Sequence, residues 1–134
     1  MWRPTEPLEF LVDRSLGRSV PDKLELMGWR IHRIGDVFPN DAQDVTDEAW
    51  IEHGLDRNWV PLCKDGRIKG RAREHHPLIE YAAVLFYLDN QQLPIIEMVA
   101  RFENNRDSIT RAVLRGGPAI YAVGNKGVRK TWPQ

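Results

Sequence analysis

Three acidic positions in this chain have the residue type and spacing for metal chemistry. Asp13 directly follows one short apolar run, and Asp65 comes two residues after another. Asp47, which is followed by Glu48, lies between them along the chain. Carboxylates that converge repel one another, and they stay ionised when a hard cation such as Mg²⁺ or Mn²⁺ lies between them. All-oxygen sites of this kind are typical of chemistry on phosphate esters.

Basic residues accompany two of these acids. Arg14 follows Asp13 directly, and Lys64 and Arg67 flank Asp65 at the start of a stretch rich in basic residues. Cations at these positions could hold a phosphate group against the predicted metal site. Arg14 is equally able to pair with a neighbouring carboxylate, and a basic stretch with a Gly is often a solvated loop. Their position beside the acids predicts Arg14, Lys64 and Arg67 as substrate-binding residues.

Each acid also has a simpler interpretation. An Asp at the end of a strand often does no more than form a turn. Asp47 and Glu48 are typical residues for the first turn of a helix capped by Thr46, because the helix dipole favours negative charge there. The metal-site prediction therefore depends on finding all the acids at one end of one sheet. At this stage either Asp47 or Glu48 could be the second acid.

Alternating segments predict the elements that must bring these acids together. Strand candidates are short apolar runs bounded by turn residues, and helix candidates have an apolar face between caps and breakers. The predicted strands are residues 8–12, 29–34, 59–63, 84–88 and 119–123, with 127–132 as an added edge. The predicted helices begin near Ser19, at Thr46 and near residue 77, and two more cover 93–103 and 106–115; residues 35–43 are a predicted loop.

The alternation of strands and helices predicts an α/β fold, a three-layer domain with a central parallel sheet of four to five strands. The length predicts one domain over residues 1–134. Open parallel sheets form their sites at the carboxyl ends of the strands, where the strand order reverses. If the first and third strands flank that point, Asp13 and Asp65 converge, and the helix after the second strand brings Asp47 or Glu48 to the same rim.

Composition narrows the class of protein. Nineteen basic residues balance nineteen acidic ones, so any nucleic acid would be bound by a local patch rather than by net charge. The single cysteine, Cys63, rules out an intrachain disulfide and fits a reducing compartment. No apolar run approaches the roughly 20 residues of a membrane-spanning helix, and the first ten residues do not read as a signal peptide. We expect a cytoplasmic protein with no membrane contact.

Four segments follow one another in an order that is specific when taken together. They are FLVDRSLG at 10–17, GWRIHRI at 28–34, DVTDEAWI at 44–51 and WVPLCKDGRI at 59–68. An apolar strand ends in Asp, a helix ends near a Gly, a strand leads to an acidic helix start, and a further strand ends in a basic residue and Asp. This order resembles the compact PIN-like domains, and it is most similar to the toxins of VapBC-type toxin–antitoxin modules. The resemblance spans about residues 8–130.

The resemblance implies a metal-dependent endoribonuclease of the toxin type, with RNA as substrate and a cognate antitoxin protein as partner. Carried over by position, it implies Asp13, Asp47 and Asp65 as the catalytic and metal-binding acids, with Glu48 as the alternative to Asp47. The implied cofactor is Mg²⁺ or Mn²⁺. A homo-oligomer and a toxin–antitoxin hetero-oligomer both remain open.

Two departures from the family pattern keep a non-enzymatic alternative open. Cys63 stands where many relatives have Thr or Ser, so a hydroxyl is missing there. A fourth acid late in the chain has no clear counterpart, and Asp89 and Asp107 are its candidates. A degenerate PIN-like scaffold would bind RNA or a partner protein without cutting.

A third alternative is a receiver-like phosphoacceptor domain, which also places acids after strands. Asp65 would then be the acceptor, and Lys126 would be the lysine after a late strand. Such domains have a pair of acids at the end of the first strand. Here Arg14 follows Asp13, which disfavours this hypothesis.

Several apolar side chains could pack in the core or contact a partner protein. The terminal residues Trp2 and Trp132 could stack on RNA bases or contact a partner, and we favour the partner because tryptophan is common in interfaces. The helical spacing of the apolar residues in the late helices instead favours the core over partner docking. These residues are Ile95, Ile96, Val99 and Phe102.

Overall fold

The computed structural model describes residues 1–40, 44–64, 70 and 72–133. Within these residues the chain forms six β-strands and six α-helices. The strands are β1 Glu9–Val12, β2 Arg30–Arg33, β3 Val60–Cys63, β4 Val84–Leu88, β5 Ala119–Gly124 and β6 Gly127–Trp132. The helices are α1 Ser19–Leu26, α2 Ile34–Val37, α3 Asp47–Asp56, α4 Ala72–Tyr81, α5 Ile95–Asn104 and α6 Arg106–Arg115. A 3-10 turn, Arg14–Leu16, follows β1.

All six strands belong to one sheet with the order β2-β1-β3-β4-β5-β6. The first five strands are parallel, and β6 runs antiparallel to β5 at the edge. Phe10 of β1 pairs with Ile31 of β2 on one side and with Val60 of β3 on the other. The predicted α/β fold with a parallel sheet of four to five strands is confirmed, and the predicted added edge is β6.

The strand order reverses at β1. From β1 the chain moves outward to β2, and it then crosses back to form β3 on the other side of β1. The carboxyl ends of β1 and β3 therefore flank the switch point at which open α/β sheets place their sites. This is the condition under which acids at the ends of these two strands come together.

Helices cover both faces of the sheet. Neighbouring residues of a strand point to opposite faces, so each strand packs against helices on both sides. Phe10 packs its ring 4.8 Å from that of Trp29, which in turn contacts Phe102 of α5. Leu11 points the other way, towards α3. A Cβ added at Gly54 of α3 would lie 2.9 Å from Leu11 Cδ2, so the glycine permits the close approach of α3 to the sheet. This approach sets the position of Asp47 at the start of α3.

Two helices differ from the sequence-based expectation. The predicted loop 35–43 contains most of the short helix α2, while residues 41–43 lie outside the described residues. The helix predicted near residue 77 begins five residues earlier, at Ala72. Pro77 lacks the N–H that a helix interior normally donates. In the structure it lies inside α4, where its ring is buried.

The two terminal tryptophans pack within the chain itself, so the prediction of a partner contact is wrong for the buried Trp2 and stays a prediction for the half-buried Trp132. Trp2 is only 5% exposed, and its Nε1 donates a hydrogen bond to a backbone carbonyl oxygen at 3.0 Å. Trp132 is half-buried, and its ring centroid lies 4.2 Å from that of His75. Both side chains thus contribute to the fold.

The prediction that the apolar residues of the late helices form core holds for part of the set. Val99 and Phe102 are buried, whereas Ile95 and Ile96 at the start of α5 are 45% and 74% exposed. Helical periodicity locates the inner face of α5, but it does not reveal that the first turn of the helix is exposed. None of the helices in the described ranges is long and apolar enough to cross a membrane.

Candidate active site

Asp13 lies at the carboxyl edge of the sheet, immediately after the last residue of β1. Its backbone N–H donates to the carbonyl oxygen of Leu62 in β3 at 3.0 Å, so the ladder between the two strands continues to this residue. The following 3-10 turn then directs the chain away from the sheet. Asp13 is therefore fixed at the switch point between β1 and β3 by backbone hydrogen bonding rather than by a flexible loop.

Asp47 is the first residue of α3 and is held by its neighbours in that helix. Thr46 caps the helix, since its Oγ1 accepts a hydrogen bond from the Ala49 N–H at 3.1 Å. The Nε1 of Trp50 donates to Asp47 Oδ1 at 2.9 Å, and Trp50 is only 1% exposed. The predicted cap at Thr46 is confirmed, and the cap and the buried indole together fix the carboxylate of Asp47.

The two acids come close enough to influence one another. The pKa of Asp13 is raised above its ordinary value, mainly because burial disfavours the charged carboxylate and also because the negative charge of Asp47 lies nearby. Hydrogen bonds from Ser15 and from the backbone N–H groups of Ser15 and Arg14 oppose this increase. The effects that raise the pKa of Asp13 outweigh those that lower it. Of the two candidates at the start of α3, it is Asp47 whose charge acts on Asp13.

Ser15 is a site residue that the sequence analysis missed. Its Oγ donates a hydrogen bond to Asp13 Oδ2 at 2.7 Å and accepts one from the Lys64 N–H at 3.2 Å. One hydroxyl thus joins the end of β1 to the end of β3. A signal was present, because an Asp commonly bonds to groups two residues further along the chain in a turn.

The remaining predicted residues divide into two groups. Glu48 is half-buried in the first turn of α3, Lys64 directly follows β3, and Arg14 is exposed beside Asp13. Asp65 and Arg67 lie outside the described residues. The structure thus brings Asp13, Asp47 and the backbone of Lys64 to one place.

Cys63, the last residue of β3, is buried and, as the single cysteine, forms no disulfide within the chain. The position at which many relatives have a hydroxyl therefore presents no oxygen to this site. Ser15 supplies a hydroxyl at the same edge from the neighbouring strand end. The departure at Cys63 does not leave the site without a hydroxyl group.

The two candidates for a fourth acid have other surroundings. Asp89 directly follows β4 at the same edge of the sheet, but one carboxylate oxygen accepts a hydrogen bond from Arg101 and the other from Arg129. Asp107 lies in the first turn of α6, where it is exposed. Asp89 is thus occupied by guanidinium groups, and Asp107 is a first-turn helix charge.

A cleft of about 370 Å³ opens beside Asp13 on the side of β2. One wall comes from residues 12–22, and the other comes from residues 33–36. The cleft and the carboxylates share Asp13, so a molecule in the cleft would contact the acid site directly. The charged residues that line it are Asp13, Arg14, Arg18, Asp22, Arg33 and Asp36.

The donor set of the site fits a hard divalent cation. Asp13 and Asp47 offer carboxylate oxygens of like charge, and a cation would relieve their repulsion. Within the described ranges no three His, Cys, Asp or Glu side chains form a ready-made metal cluster. The third predicted ligand, Asp65, belongs to the residues that are not described.

Comparison with known proteins identifies the family. Residues 8–90, which run from before β1 to just past β4, match the PIN-like domain. The chain belongs to the PIN-like domain family. It is also 32% identical over 114 residues to the protein named "Putative ribonuclease VapC45" of Mycobacterium tuberculosis, and the aligned region covers 84% of this chain and 83% of that protein. No solved structure matches the chain.

Family membership bears on the receiver-like alternative more strongly than the topology does. The order 2-1-3-4-5 of the parallel strands also occurs in doubly wound receiver and flavodoxin-like domains. The matched region of the PIN-like domain contains both Asp13 and Asp47. The match therefore favours a PIN-like domain over a receiver-like domain where the strand order alone would not.

Proposed function

We propose that this PIN-like domain is a metal-dependent endoribonuclease and acts as the toxin of a toxin–antitoxin pair. The observation that carries the proposal is the approach of Asp13 and Asp47 at the switch point between β1 and β3. A like-charge pair with one raised pKa in a sheet-edge site is typical of a functional centre. The relative named as a ribonuclease supports RNA as the substrate.

In this proposal Asp13, Asp47 and Asp65 hold a Mg²⁺ or Mn²⁺ ion, and Glu48 is the alternative to Asp47. When bound to such carboxylates, the ion activates water and neutralises charge on phosphate oxygens. Burial gives Asp13 a higher affinity for protons than an exposed carboxylate has. The Ser15 hydroxyl and the turn N–H groups counter this effect and favour the ionised form that binds a cation.

The basic residues around these acids orient the RNA. Arg14 is exposed directly beside Asp13, and Lys64 follows β3, where its backbone N–H is fixed by Ser15. Their side chains neutralise the phosphate on either side of the acid pair. Arg67 is a third proposed phosphate ligand. Local charge of this kind is needed because the net charge of the chain is zero.

The proposed biological setting is the reducing cytoplasm, where the buried Cys63 would stay a thiol. A cognate antitoxin would silence the enzyme by covering the edge of the sheet at which the acids lie. The oligomeric state is either a homo-oligomer or a toxin–antitoxin hetero-oligomer.

The test is cleavage of single-stranded RNA by purified, antitoxin-free protein with Mn²⁺, with Mg²⁺ and with chelator. We expect metal-dependent cleavage that is lost in Asp13→Asn and Asp47→Asn but retained in Asp107→Asn, a matched change at an exposed residue of α6. Thermal unfolding gives a readout apart from activity, because Mn²⁺ should raise the Tm of the wild type and not that of Asp13→Asn. RNA binding without metal-dependent cleavage would instead support the degenerate scaffold.

A further inference from the structure

We infer that the cleft beside Asp13 is a nucleotide subsite, in which Arg18 binds the phosphate next to the one that is cut. The inference rests on the proposed ribonuclease function and deepens it by assigning the path of the RNA. The strand would leave the carboxylates on the side of β2 and enter the cleft between residues 12–22 and residues 33–36.

The size of the cleft suits one nucleotide. Its volume of about 370 Å³ lies at the lower end of the range of small-ligand sites, about 300–1,000 Å³. A duplex would not fit, whereas a single unstacked nucleoside would. Proteins that read single-stranded RNA commonly take up individual bases in this way. Because Asp13 is part of the lining, the occupant would be adjacent to the scissile phosphate.

The charges on the two walls give the occupant an orientation. Arg33 is held by Asp22 and by Glu25, the latter at 2.7 Å, so its charge is balanced within the protein. Arg14 and Arg18 are exposed, and neither has a carboxylate partner among the described residues. A phosphate would therefore bind on the wall that carries these two arginines.

The turn after β1 separates these arginines and gives them different positions. Arg14 begins the 3-10 turn beside Asp13, and Gly17 then adopts a positive φ of 69° that redirects the chain into α1. Arg18 comes directly after this bend and lies further from the carboxylates along the chain. Two consecutive phosphates of one strand can thus meet two successive cations.

Asp36 of α2 lies on the opposite wall. A carboxylate there repels phosphate but accepts hydrogen bonds from ribose hydroxyl or base amino groups. The nucleoside would therefore face residues 33–36, while its phosphate faces Arg18.

On the other flank of the acid site, two arginines are already paired within the chain. Arg101 of α5 and Arg129 of β6 both bind Asp89. Their charges are partly balanced before any RNA arrives. Arg14 and Arg18 on the β2 side are therefore more available to a neighbouring phosphate than Arg101 and Arg129 are.

Arg18→Ala tests the subsite, with Arg115→Ala as the matched control. Arg115 is an exposed arginine in the last turn of α6, a helix whose end leads into the start of β5 at the opposite edge of the sheet. We expect Arg18→Ala to raise KM for single-stranded RNA about five- to tenfold. The slope of the logarithm of the binding constant against the logarithm of the salt concentration should become shallower by about 0.7, the value for one phosphate of a single strand. Arg18→Lys should restore part of the affinity.

A second measurement separates the subsite from the catalytic proposal. In the Asp13→Asn background, binding of a fluorescein-labelled oligouridylate reports affinity without any cleavage. If the double variant Asp13→Asn/Arg18→Ala binds more weakly than Asp13→Asn, the result supports the subsite even if the wild type proves unable to cut RNA. Conversely, cleavage by the wild type with equal KM and equal binding for the Arg18→Ala and Arg115→Ala variants overturns the subsite and leaves the ribonuclease proposal intact.

Truncated substrates locate the occupant. On an RNA with a mapped cut, removing the nucleotide on one side of the scissile phosphate should raise KM for the wild type as much as Arg18→Ala does. Combining that truncation with Arg18→Ala should add nothing, because both changes remove the same contact. Additive effects for both the 5′ and the 3′ truncation would contradict the inference.

Discussion

Asp13 and Asp89 look alike in the sequence and differ in the structure. Each directly follows a buried strand of the parallel sheet, β1 and β4, and each lies at its carboxyl edge. Asp13 is close to a second carboxylate, that of Asp47, and its pKa is raised. Asp89 instead accepts hydrogen bonds from Arg101 and Arg129.

This difference distinguishes a site that can take up a cation from a site that already contains cations. Repulsion between Asp13 and Asp47 makes the β1–β3 edge favourable for a divalent ion. At the β4 edge, the guanidinium groups already play that part and tie β4 to α5 and β6. Similar strand-terminal acids therefore have a proposed catalytic role in one region and a structural role in the other.

The largest expected effect is on catalysis. Asp13→Asn should reduce kcat/KM for RNA about a thousandfold, because it removes a proposed metal ligand. Asp89→Ala should change kcat/KM by less than about threefold per folded molecule. Steady-state cleavage with saturating Mn²⁺ measures both variants. Equal losses would show that Asp89 belongs to the catalytic centre and that the contrast between the two acids is wrong.

The next effect is on stability, and here the Asp89 variant should change more than the Asp13 variant. Asp89→Ala should lower the free energy of unfolding by about 2 kcal/mol, since Asp89 and Arg101 are only 23% and 17% exposed and the guanidinium would lose its partner. Arg129, at 64% exposed, should contribute little of this loss. Urea unfolding in chelator measures the change. Asp13→Asn is the matched control and should cause no comparable loss.

Ser15 offers a finer test of how Asp13 is kept ionised. Ser15→Ala removes a hydrogen bond that lowers the pKa of Asp13, so that pKa should rise further. The acid limb of the pH–rate profile should then move to higher pH, and activity near neutral pH should fall about tenfold. Ser15→Thr keeps a hydroxyl and should retain most of the activity. An unchanged acid limb in Ser15→Ala would show that the hydroxyl does not influence the metal-binding acid.

Much of the fold could be predicted from the sequence because strands and helices depend on local patterns. The buried strands at 84–88 and 119–123 and the helix capped by Thr46 are close to their predicted limits. The partners of the acids could not be predicted in the same way. Asp47 is 34 residues from Asp13, and Arg129 is 40 residues from Asp89, so only the packing of α3 and β6 reveals which charge each acid meets.

The smallest effect is on the pH dependence of stability, and it measures the electrostatic cost of Asp13 directly. A carboxyl group whose pKa is raised in the fold destabilises the protein where it is ionised, and that cost disappears as the pH falls through the raised pKa. In chelator, Asp13→Asn should therefore gain more stability over the wild type at neutral pH than in acid. Asp47→Asn should weaken the pH dependence without abolishing it, because burial is the larger cause of the raised pKa. Chemical unfolding at a series of pH values supplies the comparison. If the wild type and Asp13→Asn lost stability in parallel across the series, Asp13 would carry no such cost, and the contrast with Asp89 would lose its electrostatic basis.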